Sequence, residues 1–140
     1  MRLNECLHFL MASAQNREEA LYRQLLEEYE VTPTQTGVLA ALWEGAQTPK
    51  QIAEALRLEG PTVSGVLDRM EKKGLLTRTV NPANRREVRV ILTPAGLALK
   101  EPVHAAIEET ERRLLSRYSP EEAAAFKKIL RALLEDTEIR

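Results

Sequence analysis

The chain has 140 residues, 44% of them hydrophobic and 29% charged, which is enough to fill a packed core and argues against disorder as the default. Lys and Arg number 20 against 21 Asp and Glu, a net charge of −1, so any attraction to nucleic acid or anionic lipid must be local. The longest uncharged stretch, Val31 to Trp43, is too short and too polar to span a membrane, no secretory leader pattern opens the sequence, and one cysteine with two histidines supplies neither an intrachain disulfide nor a usual zinc cluster. The expectation is a cytoplasmic protein with no metal and no cofactor.

Leu3, Leu7, Leu10, Ala14, Leu21 and Leu25 recur at helical spacings and mark one apolar face of a long helix, roughly residues 3 to 29. Proline then punctuates the chain. Thr32-Pro33, Thr48-Pro49, Thr93-Pro94 and Ser119-Pro120 each read as a hydroxyl N-cap followed by a residue with a preset helical φ and no N–H to orphan. Gln35, Gln51 and Glu122 complete capping boxes at three of the four. A helix from 33, carrying Val38, Leu39, Leu42 and Trp43, ends at Gly45, and one from 49 with Ile52, Ala53 and Leu56 spans barely ten residues. Pro61 opens a fourth helix, 61 to 73, whose apolar positions Val63, Val66, Leu67 and Met70 run to Gly74, a left-handed C-terminal cap.

The period then changes to two. Leu76, Arg78 and Val80 alternate with Thr77 and Thr79, and Val88, Val90 and Leu92 alternate with Arg89 and Ile91, which gives a β-hairpin connected by residues 81 to 87. Residues 94 to 117 read as a long helix kinked by Pro102, and residues 120 to about 136 form the last helix.

Three short helices and a basic-tipped hairpin make a winged helix-turn-helix, whose third helix lies in the DNA major groove. Between Arg57 and Arg89 stand eight basic residues (Arg57, Arg69, Lys72, Lys73, Arg78, Arg85, Arg86, Arg89) and four acidic ones, a local charge of +4 against −5 for the remainder. That is the local footprint phosphate neutralisation requires. Leu3, Leu7 and Leu10 at one end and Phe126, Ile129, Leu130, Leu133 and Leu134 at the other give the terminal helices more apolar surface than the central unit can cover, which suits a homodimer seam. The fold class is thus mainly α with a small β-hairpin wing, a winged helix-turn-helix over 31–93 with flanking dimerisation helices over 1–30 and 94–140.

The segments Gln51-Ile52-Ala53-Glu54-Ala55-Leu56, Pro61-Thr62-Val63-Ser64 and Leu67-Asp68-Arg69-Met70-Glu71-Lys72-Lys73-Gly74-Leu75-Leu76 resemble the MarR family of bacterial transcriptional regulators. The family's wing pattern, Asp-x-Arg-x-x-x-Val-x-Leu-Thr, is matched by Asn84 through Thr93, with Asn84 in place of the usual Asp. The resemblance implies an intertwined homodimer on a double-stranded, palindromic DNA operator, acting as a repressor by family habit, with Arg86 at the position of the wing arginine that enters the minor groove and Arg85 beside it. In the helix from Pro61, the residues near its start that meet base edges are Thr62, Ser64 and Gly65, with Pro61 offering apolar contact, while Arg69, Lys72 and Lys73 are placed for phosphate. Arg85 is equally suited to an ion pair with Asp68 or Glu87 that stiffens the hairpin.

Family members commonly answer a small aromatic or phenolic effector held between the helical arms and the winged unit, and His8, Met11, Tyr22 and Trp43 are suited to line such a cleft. A second branch of the family senses peroxide through one cysteine in the first helix. Its position here falls on His8, two residues beyond Cys6, so a redox regulator working through Cys6 is the alternative. Another alternative is a winged module that binds protein and not DNA, against which the basic hairpin argues. No paired carboxylates, nucleophile–base pair or phosphate loop points to an enzyme.

Overall fold

The computed structural model describes residues 1–139, the side chain of Arg85 excepted. Seven helices and a two-stranded antiparallel hairpin follow in the order α1 (Leu7–Leu26), α2 (Pro33–Trp43), α3 (Pro49–Leu56), α4 (Gly60–Lys72), β1 (Leu76–Asn81), β2 (Asn84–Leu92), α5 (Pro94–Ala98), α6 (Lys100–Leu115) and α7 (Pro120–Glu135). This is a mainly α chain with a small β wing.

The starts of α2, α3 and α7 are set by the chemistry their sequences carry. Thr32, Thr48 and Ser119 each accept from the third helical N–H through the side-chain oxygen, and Gln35, Gln51 and Glu122 reach back to the cap N–H. Gly74 leaves α4 at φ +76, the left-handed exit that glycine makes without a Cβ penalty.

Three expectations need correction. The first helix is not continuous from residue 3: a single 3-10 turn, Leu3–Glu5, is separated from α1 by Cys6 in extended conformation (φ −85, ψ 117). Residues 94 to 117 are two helices rather than one kinked helix. The break falls at Leu99 (φ −80, ψ −9), and Pro102 stands in the first turn of α6, where its missing N–H is a small loss. The hairpin connection is shorter than 81 to 87, because only Pro82 and Ala83 turn the chain and β2 begins at Asn84; the strand pairing is irregular at Val80/Asn81.

The core is shared by every helix except α5 and α7. Leu26 of α1, Val38 and Leu39 of α2, Ile52 of α3, Val63, Leu67 and Met70 of α4 and Val103 of α6 are sealed from solvent, with Leu76 and Val90 from the hairpin. Gly96 of α5 is buried where an added Cβ would overlap the Leu75 carbonyl oxygen and lie 3.0 Å from Leu92 Cδ2. The wing is docked by more than its own ladder: Val90 N–H donates to the Gln47 carbonyl at 2.8 Å, which joins β2 to the turn ahead of α3. By contrast α7 contributes no buried residue, and Phe126, Ile129 and Leu134 are more than half exposed. Leu3 and Leu7 are also exposed. Among the described residues, no helix is long and apolar enough to cross a membrane.

Candidate nucleic-acid interface

Helix α4 divides its side chains by period. Val63, Val66, Leu67 and Met70 are buried, while Pro61, Thr62, Ser64, Arg69 and Lys72 are exposed and Gly65 is half-buried. Thr62, Gly65, Arg69 and Lys72, spaced by three, four and three, share one outward stripe. At Gly65 an added Cβ would meet only Arg69 Nη2, at 3.8 Å, so the stripe has a low point open to close approach. No Asn, Gln or Arg occupies the first two turns of the stripe, and these short side chains offer fewer bidentate hydrogen bonds to bases than a reader of that kind would.

The wing stands beside α4 because Arg78 of β1 clamps it. The Arg78 guanidinium lies 2.5 Å from Asp68 Oδ1 and 3.1 Å from Glu71 Oε1, and its backbone N–H donates to Glu71 Oε2 at 2.8 Å. The backbone donor first and the guanidinium second hold the Glu71 carboxyl below the ordinary carboxylate range. Farther along the hairpin, Asn81 Nδ2 donates to Glu87 Oε2 at 3.0 Å and Arg89 Nη2 to Glu87 Oε1 at 2.9 Å, while Arg89 Nη1 donates to Gln47 Oε1. Gln47 N–H in turn donates to Gln51 Oε1 at 2.8 Å, so a polar chain runs from the wing tip to the cap of α3.

These pairings sort the basic residues. Arg78 and Arg89 hold the wing in place through Asp68, Glu71 and Glu87; the Arg85 side chain, and with it the expected ion pair to Asp68 or Glu87, lies outside the described residues. Lys73, expected at phosphate, directs its ammonium in the free chain to the Glu30 carbonyl at 2.6 Å and Gln35 Oε1 at 3.2 Å, acceptors that come from the α1–α2 junction some forty positions away. Arg57, Arg69, Lys72 and Arg86 are exposed, and among the described residues no hydrogen bond or ion pair engages their side chains. Reading the sequence missed the clamp, although one signal was present: Arg78 stands in the apolar phase of β1, between Leu76 and Val80.

The family model described as the MarR family matches residues 31–88, which takes in α2, α3, α4 and most of the wing. The organic hydroperoxide resistance transcriptional regulator of Bacillus subtilis is 34% identical over 137 residues, covering 96% of this chain and 91% of its own. This chain belongs to the MarR family of transcriptional regulators. Among solved MarR-like structures, Bordetella bronchiseptica BpsR, whose DNA binding is regulated by 6-hydroxynicotinic acid, superposes with a TM-score of 0.89 at 28% identity and covers 97% of this chain and 98% of its own. A Staphylococcus aureus MepR–DNA complex superposes at 0.83 with 30% identity, over 92% of this chain and 96% of its own.

Of the four side chains expected at an effector cleft, Tyr22 and Trp43 are buried or half-buried and His8 and Met11 are exposed. Tyr22 is buried, its hydroxyl 2.7 Å from Thr36 Oγ1, so it serves the α1–α2 packing; burial raises its phenol pKa. Trp43 is half-buried, meets the His104 ring edge-on at 5.5 Å, and buries an indole Nε1 with no partner among the described residues. His8 and Met11 are exposed on the first half of α1, well before the buried Tyr22 and Leu26. Cys6 is half-buried and caps α1 from outside the helix, so its offset from His8 is that of a chain in extended conformation. Among the described residues, no group of three or more His, Cys, Asp or Glu is placed to hold a metal ion.

Proposed function

We propose that this MarR-family regulator is a homodimeric repressor that binds a palindromic operator of double-stranded DNA in the cytoplasm and is released by a small aromatic or phenolic molecule. The observation that carries the reading is the coincidence of an outward stripe on α4 (Thr62, Gly65, Arg69, Lys72) with an exposed Arg86 on a wing fixed beside it by Arg78. In this reading α4 enters the major groove, with Pro61, Thr62, Ser64 and Gly65 near base edges and Arg69 and Lys72 at phosphate. Arg86, with Arg85, enters the minor groove, and specificity leans on groove shape because the first turn of α4 reads bases weakly.

Residues 31–93 form the DNA-binding unit, and 1–30 with 94–140 the dimerisation region. The bare apolar faces of α7 (Phe126, Ile129, Leu130, Leu133, Leu134) and of the N-terminal segment (Leu3, Leu7, Leu10) support that division: an amphipathic helix with nothing buried needs a second surface. Footprinting on selected fragments tests it. An inverted repeat with half-sites about 10 bp apart, one helical turn, is the expected result, and protection of an asymmetric site by a monomer would overturn it. Leu130→Glu and Leu133→Glu should give monomers or unfolded chains in sedimentation.

The hydroperoxide-resistance name of the B. subtilis relative favours a second reading, in which Cys6 is the trigger. Against it stands the placement of Cys6 ahead of α1, with the Tyr22 hydroxyl engaged by Thr36. Gel-shift titration with organic hydroperoxide separates the two: the effector reading expects Cys6→Ser to behave as wild type, and peroxide release confined to the wild type would establish the redox reading.

A further inference from the structure

Lys73 links three parts of the chain that the family reading gives different tasks. It caps the C-terminal end of α4, the helix assigned to the major groove. Its ammonium donates to the carbonyl of Glu30 at 2.6 Å, the left-handed residue (φ 55) that ends the 3-10 turn Glu27–Tyr29 following α1. It also donates to Gln35 Oε1 at 3.2 Å, and that oxygen accepts the Thr32 N–H at 3.2 Å as half of the capping box that starts α2. Gln35 is only 4% exposed, so its amide has a fixed place. One flexible side chain thus ties the DNA-reading helix to the point where the long N-terminal arm turns into the winged unit.

We infer that Lys73 is a positioning residue that sets the angle between α4 and the α1 arm, and through it the distance between the two recognition helices of the dimer; this rests on the operator-binding reading above. Two of the three ammonium donors are occupied within the chain, which leaves little for a phosphate. A bond to a backbone carbonyl and an amide oxygen at the surface adds modestly to global stability, yet it runs directly from the C-terminal end of α4 to the α1–α2 junction. Lys72, one residue earlier, is exposed with no partner among the described residues, and it gives the contrasting case of a charge available to DNA.

The test compares Lys73→Met, which keeps the apolar stem and removes the donors, with Lys72→Met and Lys73→Arg in the full-length protein. Lys73→Met should weaken the parent operator about tenfold, the scale of one charge-assisted hydrogen bond, with the slope of log affinity against log salt unchanged. It should also bind operators with one base pair inserted between half-sites nearly as well as the parent, where the wild type discriminates. Lys73→Arg should restore that discrimination. Lys72→Met should keep it and flatten the salt slope by about two units per dimer, one phosphate being worth about 0.9. A flattened slope with discrimination intact in Lys73→Met would overturn the inference and return Lys73 to phosphate. Hydrogen exchange of the Thr32 amide, read without DNA, should be faster in Lys73→Met, and an unchanged rate would remove the tie. Should the wild type select no DNA, the operator reading fails, while the exchange rate still decides whether Lys73 fixes the joint.

Discussion

Raising the salt concentration should weaken operator binding with a slope that counts the cations the fold leaves free. Each phosphate neutralised by Lys or Arg releases counterions and contributes about −0.9 to the dependence of log affinity on log salt. Taken from the sequence, the eight basic residues between Arg57 and Arg89 would give a dimer a slope of about −14. The structure removes Arg78, Lys73 and Arg89 from that set, because Asp68 with Glu71, Glu30 with Gln35, and Glu87 with Gln47 already hold them. Arg57, Arg69, Lys72 and Arg86, each displacing the counterions of about one phosphate in two protomers whether it sits at phosphate or in the minor groove, give a slope of about −7, and Arg85 would bring it to about −9. Between about 50 and 200 mM salt the loss of affinity is then about 10⁴-fold for the four residues, against about 10⁸-fold for all eight. Fluorescence anisotropy of a labelled operator across that range measures it. A slope steeper than about −11 would mean that the internal pairs open on DNA, and one shallower than about −4 that the free cations do not face it; either result refutes the assignment.

Arg86→Ala should weaken operator binding by about 1–3 kcal/mol and reduce the preference for A·T-rich flanks, since a narrow minor groove attracts arginine; competition between operators differing only in flanks reads this, and an unchanged preference would refute the wing assignment. Gly96→Ala should destabilise the protein by about 1–3 kcal/mol in denaturant titration, as an overpacked site does, because its Cβ would press on the Leu75 carbonyl that Thr93 N–H also uses at 3.1 Å. In α6, Arg112 and then Arg113 hold the Glu109 carboxyl at about 2, below its ordinary 4.5. The helix support from this pair is therefore fully present above pH 4.5 and lost as pH falls toward 2. NMR titration should find that low midpoint and see it rise in Arg112→Ala.

What could be read in the sequence was local. Thr48, Pro49 and Gln51 contain the whole start of α3, and Gly74 the whole exit from α4, because the hydrogen bonds and dihedrals involved lie within a few residues. The hairpin follows from alternation at Leu76–Val80 and Val88–Leu92, whereas its register and the short turn at Pro82–Ala83 appear only in the structure. Pro102 misled because a proline within a helical pattern fits a kink and a fresh first turn equally well, and only the packing around Leu99 selects the second. The basic residues show a different limit: charge is countable in sequence, but whether Lys73 or Arg89 has a partner within the chain depends on Glu30 and Gln47, which topology brings near. Tyr22 shows the same limit, since its buried partner Thr36 stands fourteen positions away and only the fold brings the two together.

The bare face of α7 makes concentration a structural variable for this protein. A sixteen-residue helix that buries no residue in its own chain is marginal alone in water, and if a second copy covers it as proposed, dilution should act on it as denaturant does. The protein's melting temperature should then climb with its concentration, assembly and folding forming one equilibrium.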